Sequence, residues 1–248
     1  TGRGALAAEV MAHLVSRHVE SHGQVGSGAQ GGTTIEKSEA GGGAGSALAG
    51  KGGASVTRCL LAGGGTAGHV NPLLAVADGL RARAADDTVL VLGTREGLEA
   101  RLVPERGYEL VFVDKVPFPR RPNKAAAAFP SRFLRAVGQV RAIIRERGID
   151  AVVGFGGYAS APAYVAARRE RIPFVVHEAN AKPGLANVLG ARAAAGVGVA
   201  FEGTPLRGSV VVGMPLRREV VSLDRAATRD EAAAFFGLDA SRPTLLVF

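Results

Sequence analysis

The sequence has few of the features that mark secreted or membrane-spanning proteins. Its one cysteine, Cys59, lies in an apolar run, which indicates a small buried side chain and excludes an intramolecular disulfide. No stretch approaches the roughly 18 to 20 uncharged apolar residues that a spanning helix needs, and residues 1–20 lack the compact apolar block of a signal peptide. These absences predict a protein that stays in the cytosol.

The charge balance is basic. Thirty Lys and Arg against 22 Asp and Glu leave a formal net charge of +8 over 248 residues, of which 47% are apolar. The apolar fraction is enough for a packed α/β domain, and the positive charge suits a nucleic acid, an anionic membrane surface or a phosphorylated ligand. The charge by itself leaves these three partners open.

Glycine dominates the first part of the chain. Residues 21–54 hold twelve glycines and almost no large apolar side chain, so they bury too little surface to offset the entropy of ordering. We therefore predict a flexible glycine-rich extension over residues 1–55, with a short helix at 5–18. His18 and His22 stand four residues apart, but with no third ligand nearby we predict no metal site.

From Val56 onward, short apolar runs alternate with helical patterns. The runs show no polar alternation, which is typical of parallel strands covered on both faces. We predict helices at 73–84, 163–171 and 185–193, and thus a doubly wound parallel α/β sheet whose ligands bind beyond the carboxyl ends of the strands. The predicted strands are 58–62, 88–92, 109–113, 150–154, 173–176, 196–200 and 209–212.

A new section begins after Gly213. Residues 225–236 predict a helix that ends at Gly237, and residues 242–248 predict a strand. We predict an extension at 1–55, a Rossmann-like domain at 56–216 and the start of a second domain at 217–248. Because a terminal strand without a partner helix is an unusual end for a domain, we expect that the sequence is truncated.

The first candidate site is the glycine loop from Gly63 to Gly68, between a predicted strand and a helix that Asn71 caps and Pro72 opens. Glycines let backbone N–H groups approach a ligand, so Gly64 and Gly65 are candidates for binding a phosphate. The spacing also fits a dinucleotide fingerprint, but the next strand is followed by Arg95 and no acidic residue. That pattern leaves an NADP-linked oxidoreductase open and gives the ribose of NAD no partner.

His69 directly follows this loop. Imidazole titrates near neutral pH, so a histidine beside a ligand cleft suits a general base. A histidine that only orients the loop has the same position. Both interpretations remain open from the residues alone.

Two further loops follow predicted strands. The loop Gly154–Ser160 offers Gly156, Gly157, Tyr158 and Ser160 to the same cleft. The loop from His177 to Gly184 places His177, Glu178 and Asn180 at a carboxyl end, and three polar side chains there favour a site over a turn. From the residues alone, both loops are candidates for binding a ligand in this cleft.

The span 117–135 interleaves five basic residues with three phenylalanines. This pattern suits a segment seated on an anionic bilayer, and it also suits a solvated basic face with core phenylalanines. The span has no recognisable nucleic-acid reading motif, so we predict no nucleic acid partner. The candidate membrane contacts are Arg120, Arg121, Lys124, Phe129, Arg132 and Phe133.

Four segments in order, Gly64–Pro72, Gly154–Tyr158, His177–Asn180 and Gly213–Arg217, together resemble the signatures of the MurG family of glycosyltransferases. The family transfers GlcNAc from UDP-GlcNAc to the muramyl 4-hydroxyl of lipid I, giving lipid II for peptidoglycan. The resemblance implies a GT-B architecture of two Rossmann-like domains and a peripheral enzyme on the cytoplasmic face of the cell membrane. It implies no cofactor beyond the donor, and no metal.

The resemblance also assigns roles. His69 would deprotonate the attacking hydroxyl in a direct, inverting displacement, and the acceptor pyrophosphate would rest against the glycine loops. Ala67 stands where many members have glycine, and the donor-binding loop that follows the last strand in the family is missing. We therefore expect this sequence to bind acceptor or membrane better than it catalyses transfer, with a non-catalytic binding remnant as the alternative. The positions that match the donor site are Thr66, Ala67, Gly68, Asn180 and Arg217.

Overall fold

A computed structural model describes residues 58–83, 88–119, 121, 124–239 and 242–245. The predicted extension at 1–55 and Arg120 lie outside the described residues. The same holds for the end of the strand predicted at 242–248, and residues 242–245 form no strand.

The described residues form one sheet of seven parallel strands in the order β3-β2-β1-β4-β5-β6-β7. This arrangement confirms the predicted fold class and all seven predicted strands between residues 58 and 212. Apolar side chains on both faces of each central strand explain why the sheet is parallel and covered on both sides. The strands are β1 (Arg58–Ala62), β2 (Thr88–Gly93), β3 (Glu109–Phe112), β4 (Ala151–Gly154), β5 (Phe174–Glu178), β6 (Gly196–Val199) and β7 (Ser209–Val211).

The helices connect the strands, as expected of βα units. None of those in the described part of the chain is long and apolar enough to cross a membrane. They are α1 (Ala67–Arg83), α2 (Glu99–Glu105), α3 (Lys124–Glu146), α4 (Ser160–Glu170), α5 (Leu185–Gly190), α6 (Arg218–Val221) and α7 (Arg225–Phe235).

The predicted start of α1 was wrong. The helix begins at Ala67, so Asn71 does not cap it and Pro72 lies inside it. The carbonyl oxygen of Thr66 accepts hydrogen bonds from the N–H groups of His69 and Val70, which begins the helix directly after the glycine loop. Pro72, in the second turn, has no N–H and so removes one backbone hydrogen bond from the helix.

The core has two layers, one on each face of the sheet. Leu60 and Ala62 of β1 face the layer that contains α3 and α4, and Cys59 and Leu61 face the layer that contains α1. Cys59 is buried, as predicted. Alternate residues of one strand thus supply both layers, which fixes the sheet between its helices.

The chain divides after Pro215 into two compact units. The second unit carries α6 and α7, and α7 confirms the helix predicted at 225–236. Asp224 caps α7 by accepting hydrogen bonds from the N–H groups of Ala226 and Ala227. The domain boundaries themselves remain a prediction.

Candidate functional site

The three predicted loops meet at the carboxyl edge of the sheet. They follow β1, β4 and β5, which are neighbours in the strand order. Because parallel strands end at the same edge, the first glycine loop, the second glycine loop and the loop after β5 lie side by side.

The first and second glycine loops touch through their backbones. Gly157 has φ +82°, and a Cβ there would overlap the carbonyl oxygen of Gly64. The buried hydroxyl of Ser160 accepts a hydrogen bond from the N–H of Gly156, 3.0 Å away, and lies 2.8 Å from the carbonyl oxygen of Ala62. Ser160 therefore joins the end of β1 to the second loop.

His69 sits in the first turn of α1 between these loops. Its Nδ1 lies 3.2 Å from the carbonyl oxygen of Gly64 and 3.1 Å from the hydroxyl of Thr66. A Cβ on Gly156 would lie 3.0 Å from His69 Nε2, so the absence of that atom makes room for the ring. No protein partner is found for Nε2 among the described residues, and His69 is half-buried.

The predicted donor-site residues lie in two places. Thr66, Ala67 and Gly68 are exposed at the start of α1, beside His69. Asn180 is also exposed, and its side-chain amide donates to Glu178 Oε1 at 2.8 Å. Arg217 belongs to the second unit, where it is exposed just before α6. These assignments remain predictions.

Glu178 organises the loop after β5. Its buried carboxylate accepts from the N–H and the side chain of Asn180 through Oε1. Oε2 accepts from the N–H of Gly184 at 2.9 Å and from the side chain of Asn187 at 3.0 Å. Asn187 escaped the sequence analysis because it lies in the following helix, and its amide also bonds Tyr164 and the carbonyl of His177.

His177 is fully buried and faces the link that leaves β7. Its Nε2 lies 3.2 Å from the carbonyl oxygen of Gly213, and its Nδ1 has no hydrogen-bond partner among the described residues. Burial lowers the pKa of His177, while the bond to Gly213 and the charge of Glu178 act in the opposite direction. The side chains of His177 and Glu178 thus make internal contacts here, and their predicted contact with acceptor phosphate remains untested.

Glu99 is a buried site residue that the sequence analysis missed. It opens α2, is 0% exposed, and accepts from the N–H of Gly65 and from both the N–H and the hydroxyl of Thr94 at 2.8 to 2.9 Å. A Cβ on Gly64, Gly93 or Gly97 would overlap this side chain. The sequence did offer a signal, because this acidic residue closely follows Gly93, Thr94 and Gly97.

The ring of Tyr158 contacts a cation, Lys115, beside the glycine loops. Its half-buried ring lies beside Gly65, and Lys115 Nζ lies 5.1 Å from the ring centroid. Lys115 is exposed in the segment after β3. This contact adds positive charge where a phosphate is predicted to bind.

The predicted membrane segment contains a cluster of phenylalanines. The ring centroids of Phe118, Phe129 and Phe133 lie 5.4 to 6.4 Å apart, and Phe129 and Phe133 pack partly against the core. Beside them a largely apolar cavity of about 350 Å³ extends to α4 and α5. The rings are therefore half-buried. This degree of burial lies between the exposed rings expected of a bilayer contact and the buried rings expected of core phenylalanines.

Exposed groups border this phenylalanine cluster. Arg121 and Arg132 are exposed, Leu134 is 51% exposed, and Lys124 is the first residue of α3.

No group of three His, Cys, Asp or Glu that could hold a metal ion occurs in the described part of the chain.

Known proteins match the unit that carries these loops. The family model of the glycosyltransferase family 28 N-terminal domain matches residues 59–199. The protein named UDP-N-acetylglucosamine--N-acetylmuramyl-(pentapeptide) pyrophosphoryl-undecaprenol N-acetylglucosamine transferase from Clavibacter michiganensis subsp. michiganensis (strain NCPPB 382) is 70% identical over 193 residues. These residues are 77% of this chain and 53% of that relative.

Two further comparisons agree. A protein of the same name from Leifsonia xyli subsp. xyli (strain CTCB07) is 65% identical over 192 residues, which are 77% of this chain and 54% of the relative. The crystal structure of Acinetobacter baumannii MurG is 33% identical with a TM-score of 0.55, covering 62% of this chain and 45% of that one.

The chain spans about half the length of the curated relatives it matches. The matched region begins in β1 and ends in β6, and it contains all three loops that meet at the carboxyl edge. The family match therefore covers three of the four segments that carry the resemblance and agrees with it. The chain belongs to glycosyltransferase family 28 and is a MurG-like protein that carries the family's N-terminal domain.

Proposed function

We propose that this chain supplies the acceptor half of a transferase that moves GlcNAc from UDP-GlcNAc to lipid I, forming lipid II. The observation that carries the proposal is His69, whose Nε2 lies between two touching glycine loops with no protein partner among the described residues. The activity in the names of the relatives supports the same assignment. Family membership favours this transferase over the nicotinamide alternative.

The proposed reaction is a direct displacement. The 4-hydroxyl oxygen of the muramyl sugar attacks the anomeric carbon of GlcNAc, and the bond from that carbon to the phosphate oxygen of UDP breaks. UDP leaves with the electron pair, and the hydroxyl proton passes to His69 Nε2. The anomeric configuration inverts, because there is one displacement and no covalent enzyme intermediate.

The glycine loops are proposed to receive the acceptor pyrophosphate. The N–H groups of Gly65 and Gly156 already donate to Glu99 and Ser160, so a phosphate needs other donors. The N–H of Gly157 and the ammonium group of Lys115, which lie beside the loops, are the proposed donors. We assign UDP-GlcNAc to Thr66, Ala67, Gly68, Asn180 and Arg217, as the family resemblance implies.

The phenylalanine cluster (Phe118, Phe129 and Phe133) is proposed to seat the protein on the cytoplasmic face of the membrane. Half-buried rings beside exposed arginines are what a peripheral contact with anionic lipid requires. Lipid I is anchored in that membrane, so this seat would bring the acceptor to the glycine loops. The domain proposal follows from this: residues 56–216 hold acceptor and membrane, and residues from 217 belong to the donor side.

A chimera tests the transfer. Residues 1–215 are joined to the remaining part of the Clavibacter relative, and UDP release from UDP-GlcNAc is measured with and without lipid I. We expect release that depends on lipid I, and a loss of about 100-fold or more for His69→Ala, the range of a lost general base. His22→Ala is the matched control and should leave turnover unchanged. Near-normal turnover of His69→Ala would remove the proposed base.

The alternative is a binding module without catalysis. Under it, the 248-residue chain binds lipid I, and the chimera releases no UDP although it folds and binds UDP-GlcNAc. A nicotinamide titration of the same chain distinguishes the third possibility, and we expect no NADP binding.

A further inference from the structure

One peptide group connects Glu99 to His69. The N–H of Gly65 donates to Glu99 Oε2 at 2.8 Å, and the carbonyl oxygen of Gly64 lies 3.2 Å from His69 Nδ1. That N–H and that carbonyl belong to the same planar peptide unit. A carboxylate that fixes one end of this unit therefore fixes the direction of the other end.

The Gly64 contact selects one form of the histidine. A carbonyl oxygen has no hydrogen to donate, so a hydrogen bond with Nδ1 requires the ring proton on Nδ1. Nε2 then carries a lone pair, which is the state a base needs. The Thr66 hydroxyl, 3.1 Å from the same Nδ1, imposes no choice because it either donates or accepts.

The position of Glu99 is tightly determined. In the described part of the chain, all the hydrogen-bond partners of Glu99 donate to it, as partners of a carboxylate do, and three glycines leave the space that its side chain fills. A buried charge is expensive unless it is hydrogen-bonded, so the cost of burying Glu99 is offset by these donors. An apolar residue of similar size would fill the space but would not hold the Gly64–Gly65 peptide.

We infer that Glu99 is a positioning residue for His69: through the Gly64–Gly65 peptide it keeps the imidazole proton on Nδ1 and the lone pair on Nε2. A hydrogen bond at the N–H polarises the peptide and makes its carbonyl a better acceptor, because hydrogen bonds in a chain strengthen one another. The consequence for catalysis rests on the proposed function, in which His69 is the base. The tautomer itself does not depend on it.

Nitrogen NMR of the 248-residue chain tests the tautomer. Histidine is labelled with ¹⁵N, the His69 signals are assigned by their loss in His69→Gln, and the spectrum is recorded at a pH where the ring is neutral. We expect the Nδ1–H form to predominate in the native chain. In Glu99→Gln, the Nε2–H form should rise several-fold, because the amide cannot accept from both Gly65 and Thr94. The matched control is Glu105→Gln, an exposed residue of the same helix, which should leave the spectrum unchanged.

Two results would overturn the inference. One is a native chain in which His69 is mainly Nε2–H, and this measurement needs no variant to fold. The other is a shift of the tautomer in Thr66→Val that is as large as in Glu99→Gln, because the hydroxyl would then be the determining group. If Glu99→Gln does not fold, Thr94→Val retains the carboxylate while removing one of its donors, and a smaller rise of Nε2–H is expected.

The chimera measures the catalytic consequence separately. Glu99→Gln should lower kcat by roughly 10- to 100-fold, by analogy with groups that orient metal-binding histidines, with little change in the KM for UDP-GlcNAc. If the tautomer shifts while His69→Ala retains turnover, the proposed base is wrong and the positioning contact stands. If the tautomer does not shift, the inference fails whatever the turnover.

Discussion

The backbone of Gly157 brings the two glycine loops into contact. Its backbone has φ +82°, a conformation that residues with a side chain rarely adopt. Its missing Cβ allows the second loop to lie directly on Gly64. Gly64 in turn faces His69 and borders Glu99. The contact between the loops therefore depends on an absent side chain as much as on any hydrogen bond.

Gly157→Ala should lower the free energy of unfolding by about 2 kcal/mol or more, because it adds backbone strain and an overlap with the Gly64 carbonyl. Gly138→Ala is the control. Gly138 is an exposed residue inside α3 with no neighbour near its Cβ position, so alanine should stabilise the chain by about 1 kcal/mol. Urea unfolding followed by circular dichroism measures the stability of both variants. Equal changes in their free energies of unfolding would contradict the contact between Gly157 and Gly64.

His177 should make stability depend on pH. Because burial lowers its folded pKa below the ordinary value of 6.5, the unfolded chain binds a proton that the folded chain excludes as pH falls below 6.5. The free energy of unfolding should therefore decrease on acidification, by up to about 1.4 kcal/mol per pH unit from this residue. His177→Gln should have a flatter profile between pH 6.5 and 5, measured by urea unfolding. If the unfolding free energy of the native chain and of His177→Gln had the same slope against pH, protonation of His177 would not be linked to unfolding.

At the scale of elements, α3 and α4 are joined by a branched ion pair. Glu170 accepts from Arg141 Nε at 2.6 Å and from Arg145 Nε at 2.8 Å. The hydrogen bonds from Arg145 and Arg141 hold the pKa of Glu170 below its ordinary value. These contacts hold α4, which begins at Ser160 in the second loop, against the helix that carries the phenylalanine cluster.

Glu170→Gln should lower the melting temperature, because it leaves two arginines without their shared carboxylate. The effect should vanish at a pH well below the ordinary glutamate pKa of 4.5, where Glu170 loses its charge in the folded chain as well. Glu105→Gln breaks only an exposed pair within α2, whose atoms lie 3.6 Å apart, and should leave the melting temperature nearly unchanged. A melting temperature for Glu170→Gln equal to that of the native chain would show that the ion pair is not stabilising.

At the scale of the whole molecule, charge and apolar surface coincide near the start of α3. The chain carries a formal charge of +8, and Arg121 and Arg132 stand beside half-buried rings. These groups follow β3, on the side of the sheet where the glycine loops lie. Arginines are also exposed away from this cluster. They include Arg101 on α2, a helix that packs against the other face of the sheet, and Arg207 just before β7.

We expect the chain to bind vesicles of anionic phospholipid, and added salt should weaken this binding. Arg121→Glu with Arg132→Glu should reduce it by roughly 30-fold, at about 1 kcal/mol per basic residue lost from the membrane surface. Arg101→Glu with Arg207→Glu changes the net charge equally away from the phenylalanine cluster and should have little effect. Vesicle sedimentation measures all three proteins, and equal losses would assign binding to net charge and not to this surface.

Much of the fold could be predicted from the sequence. The runs around Leu60, Val91 and Val153 are apolar at every position and only a few residues long, which is typical of a strand covered on both faces. The same reasoning located the three loops, because loops that follow parallel strands must lie at the same edge. The start of α1 was missed because Asn71 and Pro72 resemble a helix start, whereas the Thr66 carbonyl begins the helix earlier.

The sequence by itself determined the strands, the edge at which the loops meet and the family, because these depend on local apolar patterns and on motifs in a fixed order. Only the tertiary structure decided which groups touch. Glu99 reaches Gly65 from 34 positions away, and Asn187 reaches Tyr164 from 23. The half-burial of Phe129 and Phe133 was likewise decided by packing against the core. Such contacts join elements that are distant in the chain, and no local pattern records them.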